Sequence, residues 1–322
     1  MPRIAIVTPA RAGTRTGNRH TAVRWARLLR AAGHAVTVAT EWRGERCDAL
    51  VALHARRSHA SIARFRAARP DAALVLALTG TDLYRDLAIS AEARASLELA
   101  TRLVVLQEDG RRILPRRYRA RTHVVYQSAA EGPPRAPPRR RFRVVVVGHL
   151  REEKDPFRAA DALAHLPERD DVEVVQVGEA MSTAMAREAA ARAAREPRYR
   201  WTGGTPHARA LAWIARSHLL VVSSVMEGGA NVIAEAARIG TPVLASRISG
   251  NLGMLGRGYP GYFPLGEAAA LARLVRRAAD DPAYYARLAR ATRARRALFH
   301  PRAEQRALVG AVRAALAAAQ RR

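Results

Sequence analysis

Short apolar runs alternate with longer amphipathic stretches along the first part of the chain. The apolar runs predict strands, and the stretches between them carry apolar residues at helical spacing, which predicts helices. The predicted strands are Ile4–Thr8, Ala35–Ala39, Ala49–Leu53, Leu74–Leu78, Leu103–Leu106 and His123–Val125. The predicted helices are Asn18–Ala32, Ser58–Ala68 and Ala91–Ala100. Strands that are apolar throughout and separated by helices indicate a parallel sheet covered on both faces.

A proline-rich segment, Glu131–Pro138, interrupts this alternation and predicts a linker, because proline fits neither a helix interior nor a central strand. The alternation then restarts. The predicted strands are Arg143–Val147, Val172–Val177, Leu219–Val222 and Pro242–Ala245. The predicted helices are Pro156–Ala164, Ser182–Arg195, Asn231–Ile239, Glu267–Ala279, Pro282–Ala297 and Arg302–Ala319.

The pattern therefore predicts the α/β class, with two Rossmann-like, doubly wound parallel-sheet domains. We expect the domains at residues 1–135 and 136–300, followed by a helical segment, 301–322, that can cross back to the first domain. Ligands of open α/β sheets bind beyond the carboxyl ends of the strands. We therefore expect the active site in a cleft between the two domains.

The net charge of the chain says less about function than its magnitude suggests. Its 322 residues include 55 lysines and arginines against 28 acids, a formal net charge of +27. Lys154 is the single lysine, and arginine and alanine are abundant throughout, which indicates coding bias rather than a selected basic surface. Aromatic residues make up only 5% and do not interleave with the arginines. We expect no specific nucleic-acid partner.

The composition and the apolar runs of the chain disfavour several classes of protein. Apolar runs such as Ala72–Leu78 fall far short of the ~20 residues of a membrane span. The chain starts with a strand pattern rather than a signal peptide. One cysteine, Cys47, can form neither an internal disulfide nor a zinc cluster. We expect a cytoplasmic protein that needs no metal or cofactor; its oligomeric state stays open.

Segment Ser223–Ala236 holds the most specific chemistry, because it follows a strand and opens a helix. The turn Gly228–Gly229 and the helix start Ala230–Asn231 expose backbone N–H groups, which form an anion site. Glu227 and Glu235 stand eight residues apart. Carboxylates accept hydrogen bonds from diols, so one glutamate can hold a ribose and the other a donor hexose.

Lys154 is informative because the chain otherwise uses arginine. A compact ammonium fits between two phosphates where a planar guanidinium is too large. Lys154 follows the predicted strand Arg143–Val147, at a position where a diphosphate can sit.

Three loops after predicted strands of the first domain can converge on an acceptor. They contain arginines and a helix start, which suit a small anion. The candidate acceptor-binding residues are Gly17, Asn18, His20, His54, Arg56, Arg57, Thr81, Asp82 and Arg85.

The Glu227–Glu235 spacing resembles the E-x7-E signature of family 4 glycosyltransferases with the GT-B architecture, which use nucleotide-sugar donors. Thr241–Ser246 is similar to the strand that follows in that family. Gly148–Lys154 resembles its G-R-L-x3-K loop, whose arginine and lysine hold the donor diphosphate. His149 replaces the arginine here, and Arg151 can substitute for it. The resemblance implies catalytic roles for Lys154, Arg151 and Glu227, and donor binding by Gly148, His149, Thr202, Gly203, Glu227, Gly228, Gly229, Ala230, Asn231, Val232 and Glu235.

A narrower resemblance covers nearly the whole chain and points to the selenosugar synthases of selenoneine biosynthesis. The similar pieces are Thr16–Ala26, Ala52–Ser58, Leu78–Tyr84 and Gly148–Pro156, and His149 is expected in that group. This resemblance implies transfer of a sugar from a UDP-sugar, such as UDP-N-acetylglucosamine, to selenophosphate.

Ionised selenium needs a general base less than a hydroxyl does, although Asp82 and His20 remain candidates. Two alternatives stay open. One is an ordinary family 4 enzyme with a hydroxyl acceptor, such as a lipid approached through the basic helix Ala283–Ala297. The other is a non-catalytic nucleic-acid binder.

Overall fold

The computed structural model describes residues 1–11, 13 and 17–321. Thr16, which begins the first segment similar to the selenosugar synthases, lies outside the described residues. The chain forms two compact units. The first contains Met1–Gln127 and Pro301–Arg322, and the second contains Ser128–His300.

The first unit is built on a parallel sheet, with six strands among its described residues, in the order β2-β1-β3-β4-β5-β6. The strands are β1 Arg3–Val7, β2 Ala35–Ala39, β3 Ala49–Leu53, β4 Ala73–Leu78, β5 Arg102–Val105 and β6 Thr122–Val124. The helices before the linker are α1 Gly17–Ala31, α2 His59–Ala68, α3 Leu87–Ile89, α4 Ala91–Leu99, α5 Glu108–Ile113 and α6 Arg116–Arg119. A π-helical turn, Asp82–Asp86, precedes α3.

Apolar residues cover both faces of this sheet, as the uniformly apolar strands β3 and β4 predict. One face packs against a cluster centred on Trp25 of α1, and the other against a cluster that includes Phe65 of α2. Burial of both faces leaves only the strand ends for ligand chemistry.

The second unit repeats the arrangement with a parallel sheet in the order β12-β11-β10-β7-β8-β9, six strands in the described range. The strands are β7 Phe142–Val147, β8 Val172–Val177, β9 Tyr199–Trp201, β10 Leu219–Val222, β11 Val243–Ser246 and β12 Tyr262–Phe263. The helices are α7 Arg158–Leu163, α8 Thr183–Arg195, α9 His207–Ala215, α10 Asn231–Ile239, α11 Ser249–Leu255, α12 Ala268–Asp280 and α13 Pro282–Arg293.

The last helix, α14 Pro301–Ala319, belongs to the first unit. Its apolar face joins the cluster around Trp25, and the Trp25 Nε1 donates to Glu304 Oε1 at 2.8 Å. Among the described residues, no helix is both long and apolar enough to cross a membrane.

The proline-rich linker is anchored to the second unit. Arg135 Nη2 donates to the Ser217 carbonyl at 3.0 Å and to the Tyr285 hydroxyl at 2.9 Å. Gly132 lies against Ile239, where an added Cβ would approach within 2.3 Å of Ile239 Cγ1. The second unit accordingly begins before the predicted residue 136, at Ser128.

Some elements depart from the predicted pattern. Helix α7 begins at Arg158 rather than at Pro156, because a 3-10 turn, Glu152–Lys154, comes first and ends at Asp155 in the left-handed region with φ +43°. Elements β9, α9, α11 and β12 had no predicted counterpart, since short segments carry little periodicity.

Candidate functional site

Lys154 and Glu227 form an ion pair at the carboxyl edge of the second sheet. Lys154 ends the 3-10 turn after β7, and Glu227 lies in the loop between β10 and α10. Lys154 Nζ donates to Glu227 Oε1, and Ser224 Oγ donates to the same oxygen at 2.7 Å. Glu227 is only 8% exposed. An ammonium has three donors and a carboxylate two oxygens, so both groups keep capacity for a ligand.

The two loops that carry this pair are bonded to each other. Ser223 Oγ donates to the Asp155 carbonyl at 2.7 Å, and Val225 N donates to the Glu153 carbonyl at 3.0 Å. These two hydrogen bonds hold the loops together without a ligand, which is what a preorganised site requires.

Helix α11 supports Glu227 from the other side through a close backbone approach. A Cβ added at Gly250 would lie 2.1 Å from the Glu227 carbonyl oxygen, so only glycine fits there. Asn251 Nδ2 donates to Ser246 O at 2.9 Å, and Ser246 Oγ donates to Ser224 O at 2.6 Å.

The start of α10 lies beside this pair and is a second source of donors. Ala230 caps the helix without a side-chain hydrogen bond. Gly228 is buried and Gly229 half-buried in the turn before it. The first amides of a helix have no intrahelical partner, so they attract an anion.

Glu235 lies farther along α10 and is held by a histidine that sequence reasoning missed. His207, the first residue of α9, places its Nε2 at 2.8 Å from Glu235 Oε1. This hydrogen bond raises the pKa of His207, and burial opposes it. No predicted helix covered His207, so nothing in the sequence connected it with Glu235.

Two predicted donor-site residues carry buried atoms that no described residue satisfies. They are the Nδ1 of His149, in the loop after β7, and the Oδ1 of Asn231, at the first position of α10. Unpaired buried polar atoms are costly, and at a site they are natural contacts for a ligand.

The remaining donor candidates follow β7, β8 and β9. Gly148 O would lie 1.9 Å from a Cβ at Gly178, so the loops after β7 and β8 touch through glycine. Gly178 N donates to the Gly203 carbonyl at 3.0 Å, and Thr202 N donates to Gln176 O at 2.9 Å. Together, Gly148, Thr202 and Gly203 line the same sheet edge.

Arg151 and Val232 complete the predicted set. Arg151 is exposed at the start of the 3-10 turn. Val232, half-buried on the first turn of α10, lines a cavity of about 20 Å³ together with Lys154 and Glu227.

In the first unit, Asp82 links two of the predicted acceptor loops through hydrogen bonds. It is fully buried, and its carboxylate accepts the Thr79 and Gly80 amides at 2.9 and 2.8 Å and the Ala55 amide at 2.9 Å. This arrangement joins the loops after β3 and β4, as their common sheet edge predicts, and it uses the carboxylate as a structural clamp.

His54 lies between these loops in a strained conformation, with φ +76° and 2% exposure. The Arg57 amide donates to its Nδ1 at 3.3 Å, so the ring proton of the neutral form is on Nε2. Nε2 lies 3.0 Å from the Thr81 hydroxyl. Burial lowers the pKa of His54, and the nearby Asp82 opposes that shift.

Asp86 is a buried carboxylate that the sequence did not single out. It is fully buried at the end of the π-helical turn. Two of the arginines predicted to bind the acceptor contact its carboxylate. Arg56 Nε lies 3.1 Å from Oδ2, and Arg85 Nε donates to Oδ1 at 3.3 Å. About two-fifths of each arginine side chain is exposed, 39% and 44%. The carboxylate thus holds two guanidinium groups that still face solvent.

The other acceptor candidates lie on the same unit. Gly17 and Asn18 open α1, as predicted, and His20 is exposed one turn later. Within the described ranges, no three His, Cys, Asp or Glu side chains are grouped as metal ligands.

Comparison with known proteins places the second unit in a family. The profile described as "Glycosyl transferases group 1" matches residues 133–295. The 2-deoxystreptamine glucosyltransferase of Streptomyces kanamyceticus is 32% identical over 139 residues, which are 42% of this chain and 36% of that protein. The matched part therefore spans about a third of this relative's length.

Solved structures extend the likeness to the whole fold. HepE of Anabaena, solved with UDP and glucose, aligns with TM-score 0.74 at 18% identity over 96% of this chain and 99% of its own. The sucrose-phosphate synthase of Thermosynechococcus elongatus aligns with TM-score 0.78 at 17% identity over 97% and 98%. The two parallel sheets with flanking helices are those of the GT-B fold.

Proposed function

The chain belongs to the group 1 glycosyl transferases, whose profile covers half of it, and we propose that it transfers a sugar from a UDP-sugar to selenophosphate. The sugar is N-acetylglucosamine, and the product is a selenosugar for selenoneine biosynthesis. The observation that carries the donor part of the proposal is the grouping of Lys154, Glu227 and the start of α10 at one sheet edge.

Lys154 and the start of α10 suit the diphosphate of the donor. Lys154 supplies a compact positive charge, and the uncapped amides of α10 supply donors beside it. The unpaired Nδ1 of His149 gives one further polar contact in the position where the wider family has arginine. Exposed Arg151 adds a second cation at the mouth of the same loop.

The two glutamates suit the hydroxyl groups of the donor. Glu235, oriented by His207, accepts hydrogen bonds from the ribose diol, and Glu227 accepts them from the hexose. HepE of Anabaena was solved with UDP and with UDP-glucose, which supports a uridine nucleotide as the donor here.

The acceptor suits the arginine cluster of the first unit. Selenophosphate is small and anionic, and charge-assisted bonds from guanidinium groups are the strongest contacts a protein offers such an ion. Asp86 keeps Arg56 and Arg85 in place, and Arg57 and the amides of Gly17 and Asn18 add to the positive field.

The reaction needs little proton transfer. The lone pair of ionised selenium forms a bond to the anomeric carbon, and the bond from that carbon to the UDP oxygen breaks with its electrons leaving on UDP. Lys154, Arg151 and the backbone amides stabilise the departing charge. Water then hydrolyses the selenium–phosphorus bond and releases phosphate.

The geometry of His54 agrees with a nucleophile that is already ionised. Its Nδ1 accepts the Arg57 amide and its Nε2 faces Thr81, so neither nitrogen is free to take a proton. General-base catalysis assists a hydroxyl acceptor more than a nucleophile that is already ionised.

The test is to incubate the purified protein with UDP-N-acetylglucosamine and selenophosphate, then to follow UDP by chromatography and selenium-bearing sugars by mass spectrometry. Controls omit the acceptor or replace it with inorganic phosphate. Release of UDP only with selenophosphate, together with a selenosugar, is the expected result.

A hydroxyl acceptor is the second candidate, favoured by the match to the 2-deoxystreptamine glucosyltransferase. UDP release with an aminocyclitol or a lipid acceptor, and none with selenophosphate, would contradict the first proposal. Strong binding to anionic vesicles would further favour a lipid acceptor.

A further inference from the structure

Gln176 is a buried amide on a strand face that is otherwise apolar. It lies near the carboxyl end of β8, paired with Val146 of β7 and Trp201 of β9, and is 1% exposed. Val172 and Val174 precede it on the same face, since alternate residues of a strand share a face. An apolar side chain would suit the packing there, so the amide calls for an explanation.

Neither side-chain atom of Gln176 has a hydrogen-bond partner among the described residues. Both Oε1 and Nε2 are buried, whereas the backbone oxygen accepts the Thr202 amide at 2.9 Å. Burial of an unpaired amide is destabilising, so a polar group that bonds to this amide is expected in the space beside it.

A small cavity at this amide provides the room. Its volume is about 20 Å³, and its polar lining is Gln176, Lys154, Ser223, Ser224 and Glu227. A cavity needs roughly 10–15 Å³ to hold a water molecule, which in turn needs two to four polar partners. The lining therefore fits one water molecule, and it lies against the ion pair of the donor site.

We propose that Gln176 is a positioning residue for Lys154, and that it acts through one water molecule bound in this cavity. The water accepts a hydrogen bond from the Lys154 ammonium and donates one to Gln176 Oε1. This proposal rests on the proposed function, in which Lys154 holds the donor diphosphate.

The neutrality of the amide suits this role. A carboxylate at position 176 would add a second acid beside Glu227 and would compete with the diphosphate for the ammonium. An amide directs the ammonium through hydrogen bonds and leaves its charge for the ligand.

The test compares Q176L with wild type. Leucine has a similar volume and removes both amide atoms, so the melting temperature should stay level or rise. UDP affinity by calorimetry should fall about three- to tenfold, a change in the range of coupled neighbours. The KM for the UDP-sugar should rise with it, because the ammonium loses its orientation.

V174A is the matched control, since Val174 lies on the same strand face but away from the cavity at Gln176. It removes apolar packing, so it should lower the melting temperature and leave UDP affinity unchanged. An equal loss of UDP affinity in V174A and Q176L would mean that Gln176 acts only through packing, and it would overturn the proposal.

A double-mutant cycle separates this proposal from the proposed function. K154M should weaken UDP binding, and Q176L should add nothing in the K154M background. If K154M leaves UDP affinity unchanged, the donor-site assignment fails. If K154M weakens binding but Q176L has no effect, or has the same effect in both backgrounds, only the role of Gln176 fails.

A high-resolution crystal structure tests the water directly. Electron density for one water within hydrogen-bond distance of both Lys154 Nζ and Gln176 Oε1 supports the proposal. A direct contact between the two side chains, or density for a water bonded to neither of them, overturns it.

Discussion

The close approach of α11 to Glu227, in the proposed donor site, makes Gly250 a sensitive position for substitution. A Cβ at Gly250 would lie 2.1 Å from the Glu227 carbonyl oxygen, 2.8 Å from Glu227 Cβ and 2.9 Å from Glu227 C. Two of these three atoms are backbone, so they cannot turn aside as a flexible side chain can. G250A must therefore move α11 or the Glu227 loop.

The size of the effect follows from two opposing contributions. Overpacking of a well-packed interior costs about 1–3 kcal/mol. Alanine in place of glycine in a helix returns roughly 0.5–1 kcal/mol. Because the closest atoms are backbone, the upper part of the overpacking range applies, about 2–3 kcal/mol. We expect the second unit to lose about 1–2.5 kcal/mol of unfolding free energy, which lowers its melting temperature by about 2–10 °C. UDP affinity should also fall, because Glu227 moves away from Lys154.

Gly310 provides the matched control for this prediction. It lies inside α14, and nothing lies within 4 Å of an added Cβ. G310A should therefore stabilise the first unit by about 0.5–1 kcal/mol. Calorimetry measures the melting temperatures of both variants. A G250A protein as stable as wild type, with unchanged UDP affinity, would refute the reasoning.

Three further predictions concern individual side chains of the two units. K154R keeps the charge but replaces a compact ammonium with a larger planar group, so UDP affinity should fall about tenfold or more; equal affinity would contradict the size argument. D86N removes the buried charge that holds two arginines, so the KM for selenophosphate should rise while UDP affinity stays constant; an unchanged KM would count against the acceptor site. The bond to Glu235 raises the pKa of His207, so its stabilisation is complete below the ordinary value of about 6.5 and is lost as the pH rises through the raised value. The melting temperature of wild type should therefore exceed that of H207A more at low pH than at high pH, and a constant difference would contradict this.

The fold, and the placement of Lys154 and Glu227 at one sheet edge, could be predicted because both follow from the pattern of strands. Uniformly apolar strands such as β3 and β4 indicate a parallel sheet, and the loops after parallel strands share one edge. That rule brings Lys154 and Glu227 together although many residues separate them. The lone lysine marked the position because arginine was so common elsewhere.

The groups that support these residues could not be predicted, because their roles depend on packing. Asp86 is one acid among many in the sequence, and only the π-helical turn turns it toward Arg56 and Arg85. His207 starts a helix that the periodicity did not reveal. Gln176 interrupts an apolar strand, and its meaning depends on the cavity beside it.

Asp82 is a residue whose position in the sequence predicted a binding role, whereas its contacts in the structure are structural. It was a candidate acceptor residue and a candidate base on its position in the sequence. In the structure, three backbone amides occupy its carboxylate, so it holds the loops after β3 and β4 together. Which backbone amides the Asp82 carboxylate meets depends on how the two loops fold, and the order of residues along the chain did not reveal it.

The formation of a bond between selenium and the anomeric carbon is tested most directly by NMR of the product. UDP-N-acetylglucosamine labelled at its anomeric carbon and selenophosphate, each enriched in an NMR-active isotope, are incubated with the protein. We expect a one-bond coupling between the anomeric carbon and selenium, and its loss when Lys154 is replaced with methionine. An anomeric carbon bonded only to oxygen, in a product formed from both substrates, would contradict the proposed transfer.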